Sequence, residues 1–342
     1  MLKRIIVLIA IAVTLFSCAK KSTEWKEKHV LQLSQTFALV GNPVDLDIAD
    51  NKVYIAEDQG GLSIIDLTNN TKKWITSIIS QDNDEVSLIK TRRISVDLAM
   101  KKFFINETVG SDEIRVVDFT NPDSLVIVDR FSGGTQDINQ MKFQKNDNIG
   151  AQFVYEGIIC VGTKTNYGKY GVHDVGFPPY FAVTVPVENP ATSRGAVLTG
   201  QYIYSAVEQR GLAIASRSSG AIVGQLDLPG EAQKVIISGN YAYLACRQAG
   251  LQIVDITNPA SPVKVGSYDT SGYATNLAIW ENYVAVSSGG SGIYLFDVTN
   301  KANPILKDNI TSCGYVNDVR FNNGKVIVAS RDQGLLVYNL VP

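Results

Sequence analysis

Histidine chemistry has little to work with in this chain. Its two histidines are His29, near the start, and His173, which stands beside Asp174. A Ser/His/Asp triad would have to run through His173, because one imidazole must take and return the nucleophile's proton. No GxSxG elbow exists to present a serine to it. The cysteines, Cys18, Cys160, Cys246 and Cys313, match no metal-ligand spacing. Past Cys18 an odd number remains, which argues for buried free thiols, with a Cys246–Cys313 pair as the alternative. A hard divalent cation held by carboxylates, Asp45 with Asp318, is the one cofactor left open. The acidic stretch "DNDE", residues 82–85, lacks Ca²⁺-loop spacing and reads as a solvated insertion. Asp47 and Asp97 alternate with apolar neighbours and read as strand caps.

A second set of polar residues recurs in Gly-containing turns. "EDQGG" carries Glu57 and Asp58, "EQRG" Glu208 and Arg210, "RQAG" Arg247, and "RDQG" Arg331 with Asp332. Each alone reads as a solvated turn whose Gly supplies positive φ. Together they read as a binding rim on a rigid scaffold. The stretch "TKTNYGKYGVHDVGFPPY", residues 163–180, reads as a long loop on the same face. Its Tyr167, Tyr170, His173 and Tyr180 are suited to stacking on sugar rings or packing on a protein.

A repeat must position these residues. "GLQIVDITNP" and "GIYLFDVTNK" place Asp255 and Asp297 42 residues apart. "GLSIIDLTN", "EIRVVDFTNP" and "GLLVYNLVP" are further copies. A period of this size means propeller blades or solenoid units. Each unit divides into four strands, rich in Val and Ile and separated by Asn, Gly and Pro turns. Innermost strands aligned on Asp45, Ser95, Gln140, Ala196, Lys234, Asn276 and Asp318 count seven blades. The last unit ends after its third strand, and residues 29–38, "HVLQLSQTFA", read as the missing fourth. The expected fold is therefore all-β, a seven-bladed β-propeller closed by its N-terminal strand, which leaves no open edge. On it, the polar turns share the face of the blade links, and Asp45, Lys234, Asn276 and Asp318 lie deeper, as an axial ring.

The third strands "LQIVD", "LSIID", "IRVVD" and "IYLFD" resemble the LVIVD repeat family. The resemblance is strong in the units starting near Gly41, Glu231 and Tyr273, and partial near Arg92, Arg194 and Tyr315. It is poor in the third unit, where "FAVTVPVENP" replaces the motif. At the N-terminus, Lys3 and Arg4 precede an apolar run over residues 5–16. That run is too short for a bilayer span and suits a signal sequence. "LFSC", ending at Cys18, resembles the bacterial lipobox, which implies cleavage before Cys18 and a diacylglycerol on its sulfur. Ala19 rather than Asp follows, which fits outer-membrane sorting.

The chain thus divides into a signal peptide (1–17), a polar tether from Cys18 (18–28) and one propeller domain (29–342). Of its 342 residues, 45% are hydrophobic and the net charge is −2, which gives a nucleic-acid backbone no basic surface. The expected role is a lipid-anchored cell-envelope module, without catalysis, that binds a protein partner or glycan through its loop-rich face. The alternative is an axial-pocket enzyme, a metal-assisted hydrolase or lyase.

Overall fold

The computed structural model describes residues 29–108, 112–134, 137–145, 155–170 and 181–341. Cys18, His173 and Tyr180 lie outside them, as do the signal and tether.

Adjacent residues of one strand feed two different cores. Leu251 and Ile253 of the strand Leu251–Asp255 pack with Leu277 and Val284 of the next blade. Val254, on the opposite side, packs with Tyr204 and Leu212 of the preceding blade. Both faces of such a sheet are covered, so its strands are apolar at nearly every position. The repeated Asp then turns the chain. Asp255 and Asp297 each accept the amide of the Thr two residues on at 2.8 Å, and Asp118 accepts that of Thr120 at 2.6 Å. These Asx turns lead into the outermost strands.

Seven sheets result, each built on a four-stranded antiparallel blade, over residues 45–75, 91–134, 138–188, 193–226, 234–268, 276–310 and, for the seventh, 316–340. The fourth strand of the seventh is Leu31–Phe37, paired antiparallel with Gly334–Leu340. The expected seven-bladed, N-terminally closed propeller is therefore the observed fold. Asp308, on the outer strand of blade six, fastens the closing strand. Its carboxylate accepts the Leu31 amide at 2.8 Å and meets His29 Nδ1 at 2.7 Å.

Blade four meets blade five, and blade five meets blade six, through glycines at the position equivalent to Asp308. A Cβ on Gly224 would lie 2.0 Å from the Pro259 carbonyl oxygen, and one on Gly266 2.0 Å from that of Lys301. Backbone contact at the rim thus replaces the side-chain clasp.

Two regions depart from the sequence reading. The "DNDE" insertion turns a hairpin, Ser77–Ser80 with Glu85–Ser87, that widens blade two to six strands. In blade three, residues expected to be loop form the third strand, Lys164–Tyr170, and Phe181–Glu188 is the fourth. The connection between these two strands, residues 171–180, lies outside the described residues. The strand escapes hydrophobic patterning because its inward residues are polar and paired. Thr165 meets Ser193 and Ser205 at 2.7 and 3.0 Å, and Tyr167 donates to Glu156 at 2.9 Å.

Candidate functional site

The second-to-third turns and the blade links meet on one face. There Glu57 is fully buried (0% exposed), and its carboxylate accepts the amides of Val40 and Gly41 at 2.9 and 2.8 Å. It is a strap between turn and link and does not line a funnel. Glu107 repeats the arrangement in blade two with Ile89 and Lys90 at 3.0 and 3.2 Å. The matching frames "AEDQG" and "NETVG" are the signal that points to Glu107. Asp58 exchanges backbone hydrogen bonds with Thr91, both at 3.0 Å, and Arg247 does so with Ala274 at 2.9 and 3.0 Å. Glu208 pairs with Arg194, and its carbonyl accepts the Ala232 amide at 2.8 Å.

The exposed remainder is aromatic and cationic. Arg331 lies 4.4 Å from the Tyr315 ring centroid, and Asp332 accepts the Tyr315 amide at 2.7 Å, which holds its carboxyl below the usual range. Arg247 pairs with Glu231 at 2.6 Å and lies 5.8 Å from the Tyr273 ring. Arg210 faces Asp227 at 3.7 Å. Tyr167 is only 4% exposed, under Arg217 at 4.7 Å, so it belongs to the packing of blade three rather than to a recognition loop. Tyr170 is in the same strand, its backbone paired with Tyr155 and Phe181.

The axis repeats one device. A polar side chain on a first strand accepts a backbone amide from the next blade. Asp318 accepts Leu46 N at 3.2 Å, and Asp45 accepts Ile94 N at 3.0 Å. One layer deeper, Asp47 accepts Val96 N at 2.8 Å and Ser95 accepts Phe143 N at 2.9 Å. Asp97 accepts Lys145 N at 2.6 Å. Gln140 both accepts from Ala196 N and donates to its carbonyl, at 3.2 and 2.9 Å. The pairing registers put Arg93 and Gly195, not Ser95 and Ala196, level with Asp45 and Lys234. The same irregular pairing precedes Arg93, Gln140, Gly195 and Asp318, so it is a common feature of these first strands.

Asp45 and Asp318 are close, but a guanidinium stands against both. Arg320 binds Asp318 directly, and its other terminal nitrogen is 3.8 Å from Asp45. Burial pushes the Asp318 carboxyl up, with Arg320 opposing. Among the described residues no group of three or more His, Cys, Asp or Glu is placed to hold a metal ion. Cys160, Cys246 and Cys313 are buried free thiols. Arg320, Lys142 and Arg93 escaped the sequence reading because a basic residue on a short first strand carries no motif.

Two chambers flank this layer. The upper, about 170 Å³, is polar and lined by Asn139, Arg194, Gln233, Thr275 and Asn317. The lower, about 450 Å³, lies toward the first-to-second turns. Val197, Ile236, Ile279 and Phe321 line it, together with Asp47, Lys142, Lys234 and Arg320. Lys142 pairs with Asp47 and, against the upward pull of burial, keeps its carboxyl below the usual range. Burial first, then repulsion from Arg320, brings the Lys234 ammonium down to about 8.

A family model described as the LVIVD repeat matches residues 40–75, 229–270 and 271–312, the regions of blades one, five and six. A search of curated proteins finds no match. Among solved structures, the β-propeller domain of Cps50 (Swd1) from Myceliophteria thermophila is similar at TM-score 0.68 and 9% identity, covering 90% of this chain and 99% of that one. The WD40 β-propeller domain of Doa1 is similar at TM-score 0.66 and 11% identity, covering 90% and 97%. The computationally designed Ika8 protein follows at 0.61 and 12%, covering 90% and 99%. At such identities the likeness concerns the fold alone.

Proposed function

We propose that this chain, an LVIVD-repeat β-propeller, is the non-catalytic binding module of a cell-envelope lipoprotein. It docks a protein partner on its loop face. One observation carries the reading. Tyr273, Tyr315, Val40 and Ile89 stand on four consecutive blade links, from the fifth–sixth junction round to the first–second. Tyr273, Val40 and Ile89 are 55%, 59% and 56% exposed, and Arg247 and Arg331 lie over the tyrosines. Aromatic rings with stacked arginines among apolar neighbours are the composition of protein-interface anchors. The rest of that face, around Arg194, Glu208 and Glu231, is polar and internally paired. A one-sided arc of this kind favours a protein surface over a glycan, which would want polar groups left free.

Attachment rests on the lipobox-like "LFSC". Cys18→Ala is expected to release the chain from envelope membranes with its fold intact. Persistence in the membrane fraction argues against the anchor. For the partner, a photo-crosslinking residue is placed at Tyr273 or Tyr315, and for comparison at Val263 or Ile305 on the outer strands, in the full chain in its envelope. A discrete protein adduct from the first pair, lost in Arg331→Ala, is expected. Adducts from the outer strands alone, or none from any position, overturn the docking assignment.

A further inference from the structure

The lower axial chamber is not needed by the docking surface, which lies on the other face. Its cations differ in one respect. Lys142 is paired with Asp47, and Arg320 with Asp318 and, at 3.8 Å, Asp45. Lys234 has no carboxylate within ion-pair distance among the described residues. Its ammonium carries three donors. The structure places one of them, on Gln140 Oε1 at 3.1 Å, an oxygen that already accepts the Ala196 amide. Facing Lys234 are Arg320 and Asp318 from blade seven, Asp45 from blade one, and the Cys160 thiol with Gln140 from blade three. An ammonium in this setting is under-solvated and short of anionic partners. Beside it the chamber wall is hydrocarbon: Val197, Ile236, Ile279 and Phe321.

The geometry points to the lower chamber as a binding site for a small amphipathic carboxylate, its headgroup on Lys234 and its chain along the Ile236–Ile279–Phe321 wall. A monoanion matches the one uncommitted ammonium. A dianionic phosphate would bring a second charge to cations already paired. The volume of about 450 Å³ is in the range of small-molecule pockets, and apolar walls with a few convergent polar groups are their usual lining. Binding removes the Lys234 charge from its isolation and covers apolar surface at the same time. Since burial and the Arg320 charge bring the ammonium down to about 8, affinity for an anion falls as pH rises above that value.

Octanoate is the probe, titrated calorimetrically into the full chain. Trp280 fluorescence reports occupancy, because its ring is 6.2 Å from that of Phe321. Saturable binding is expected, with uncharged octanamide weaker by roughly tenfold or more, the size of one charge-assisted hydrogen bond. Lys234→Met is expected to lose the same factor and Lys142→Met little of it. Octanoate affinity is expected to decline between pH 7 and 9.5. Octanamide binding as tightly as octanoate overturns the assignment, as does the absence of saturable binding. If Lys234→Met does not fold, the octanoate–octanamide ratio on the unaltered chain still decides.

Discussion

The two arcs of the propeller axis are built differently. From blade seven through one and two to blade four, first-strand side chains reach across each junction. Asp318, Asp45, Ser95 and Gln140 each hold a backbone amide of the next blade. From blade four through five to blade six the residues level with Asp45 are Gly195 and Lys234, those level with Ser95 are Val197 and Ile236, and no such clasp is present among the described residues. There the blades meet at the rim instead, through the backbone contacts at Gly224 and Gly266. The comparison separates two uses of a polar residue on an axis. Where it accepts a neighbour's amide, it is structure. Where it does not, as at Lys234, it remains available, and the apolar chamber wall lies on that same arc.

Substitutions that cross this division test it, beginning with the largest effect. Asp318→Ala removes the acceptor of Leu46 N and takes from Arg320 its directly bound carboxylate, leaving Asp45 at 3.8 Å. Stranding a buried partner of this kind costs about 3–5 kcal/mol, to be read from urea unfolding. A double change to Asp318→Asn with Arg320→Met is expected to recover much of that loss. If the single change costs under about 1 kcal/mol, the size of an exposed pair, the clasp is not structural.

On the other arc, Gly266→Ala drives a methyl into the Lys301 carbonyl and is expected to cost ~1–3 kcal/mol as an overpacked contact. Asp308→Ala leaves the Leu31 amide without its acceptor, at a cost of ~1–3 kcal/mol. Hydrogen exchange should localise that loss to Leu31–Phe37; a uniform increase across all blades would contradict the clasp.

The smallest effect is a slope. Between pH 8 and the ordinary lysine value the unfolded chain holds more of the Lys234 proton than the folded one. This residue therefore adds to stability as pH rises through the window. Lys234→Met should flatten the pH dependence there; an unchanged slope would mean the ammonium is ordinarily solvated.

Blades one, five and six were legible in the sequence because "LSIID", "LQIVD" and "IYLFD" carry both the two-sided apolar pattern and the turn-forming Asp. The closing strand was legible from the missing fourth strand at the C-terminal end. The third strand of blade three was not, because Thr165 and Tyr167 satisfy their polar atoms with partners in other strands and the next blade. Apolar periodicity cannot register such a strand. The polar turns were found at their positions, but what they do was hidden. Glu57 looks like any turn glutamate until the Val40 and Gly41 amides are seen against it. The axial acceptors show the same limit. A carboxylate that reaches across a junction and one that waits for a ligand are the same letter.

The pairing of Leu31–Phe37 with Gly334–Leu340 also sets an order in time. The Ser34 hydroxyl bonds the Val337 carbonyl across 303 residues of sequence. Six blades contain only their own neighbouring strands and can form as the chain emerges. The ring cannot shut until residues 334–340 are available to the strand made first. Contacts of such long range come late in folding, after the entropy of joining the ends has been met. Until then the seventh blade exposes a bare edge, the stage at which the chain is most open to pairing with another copy of itself.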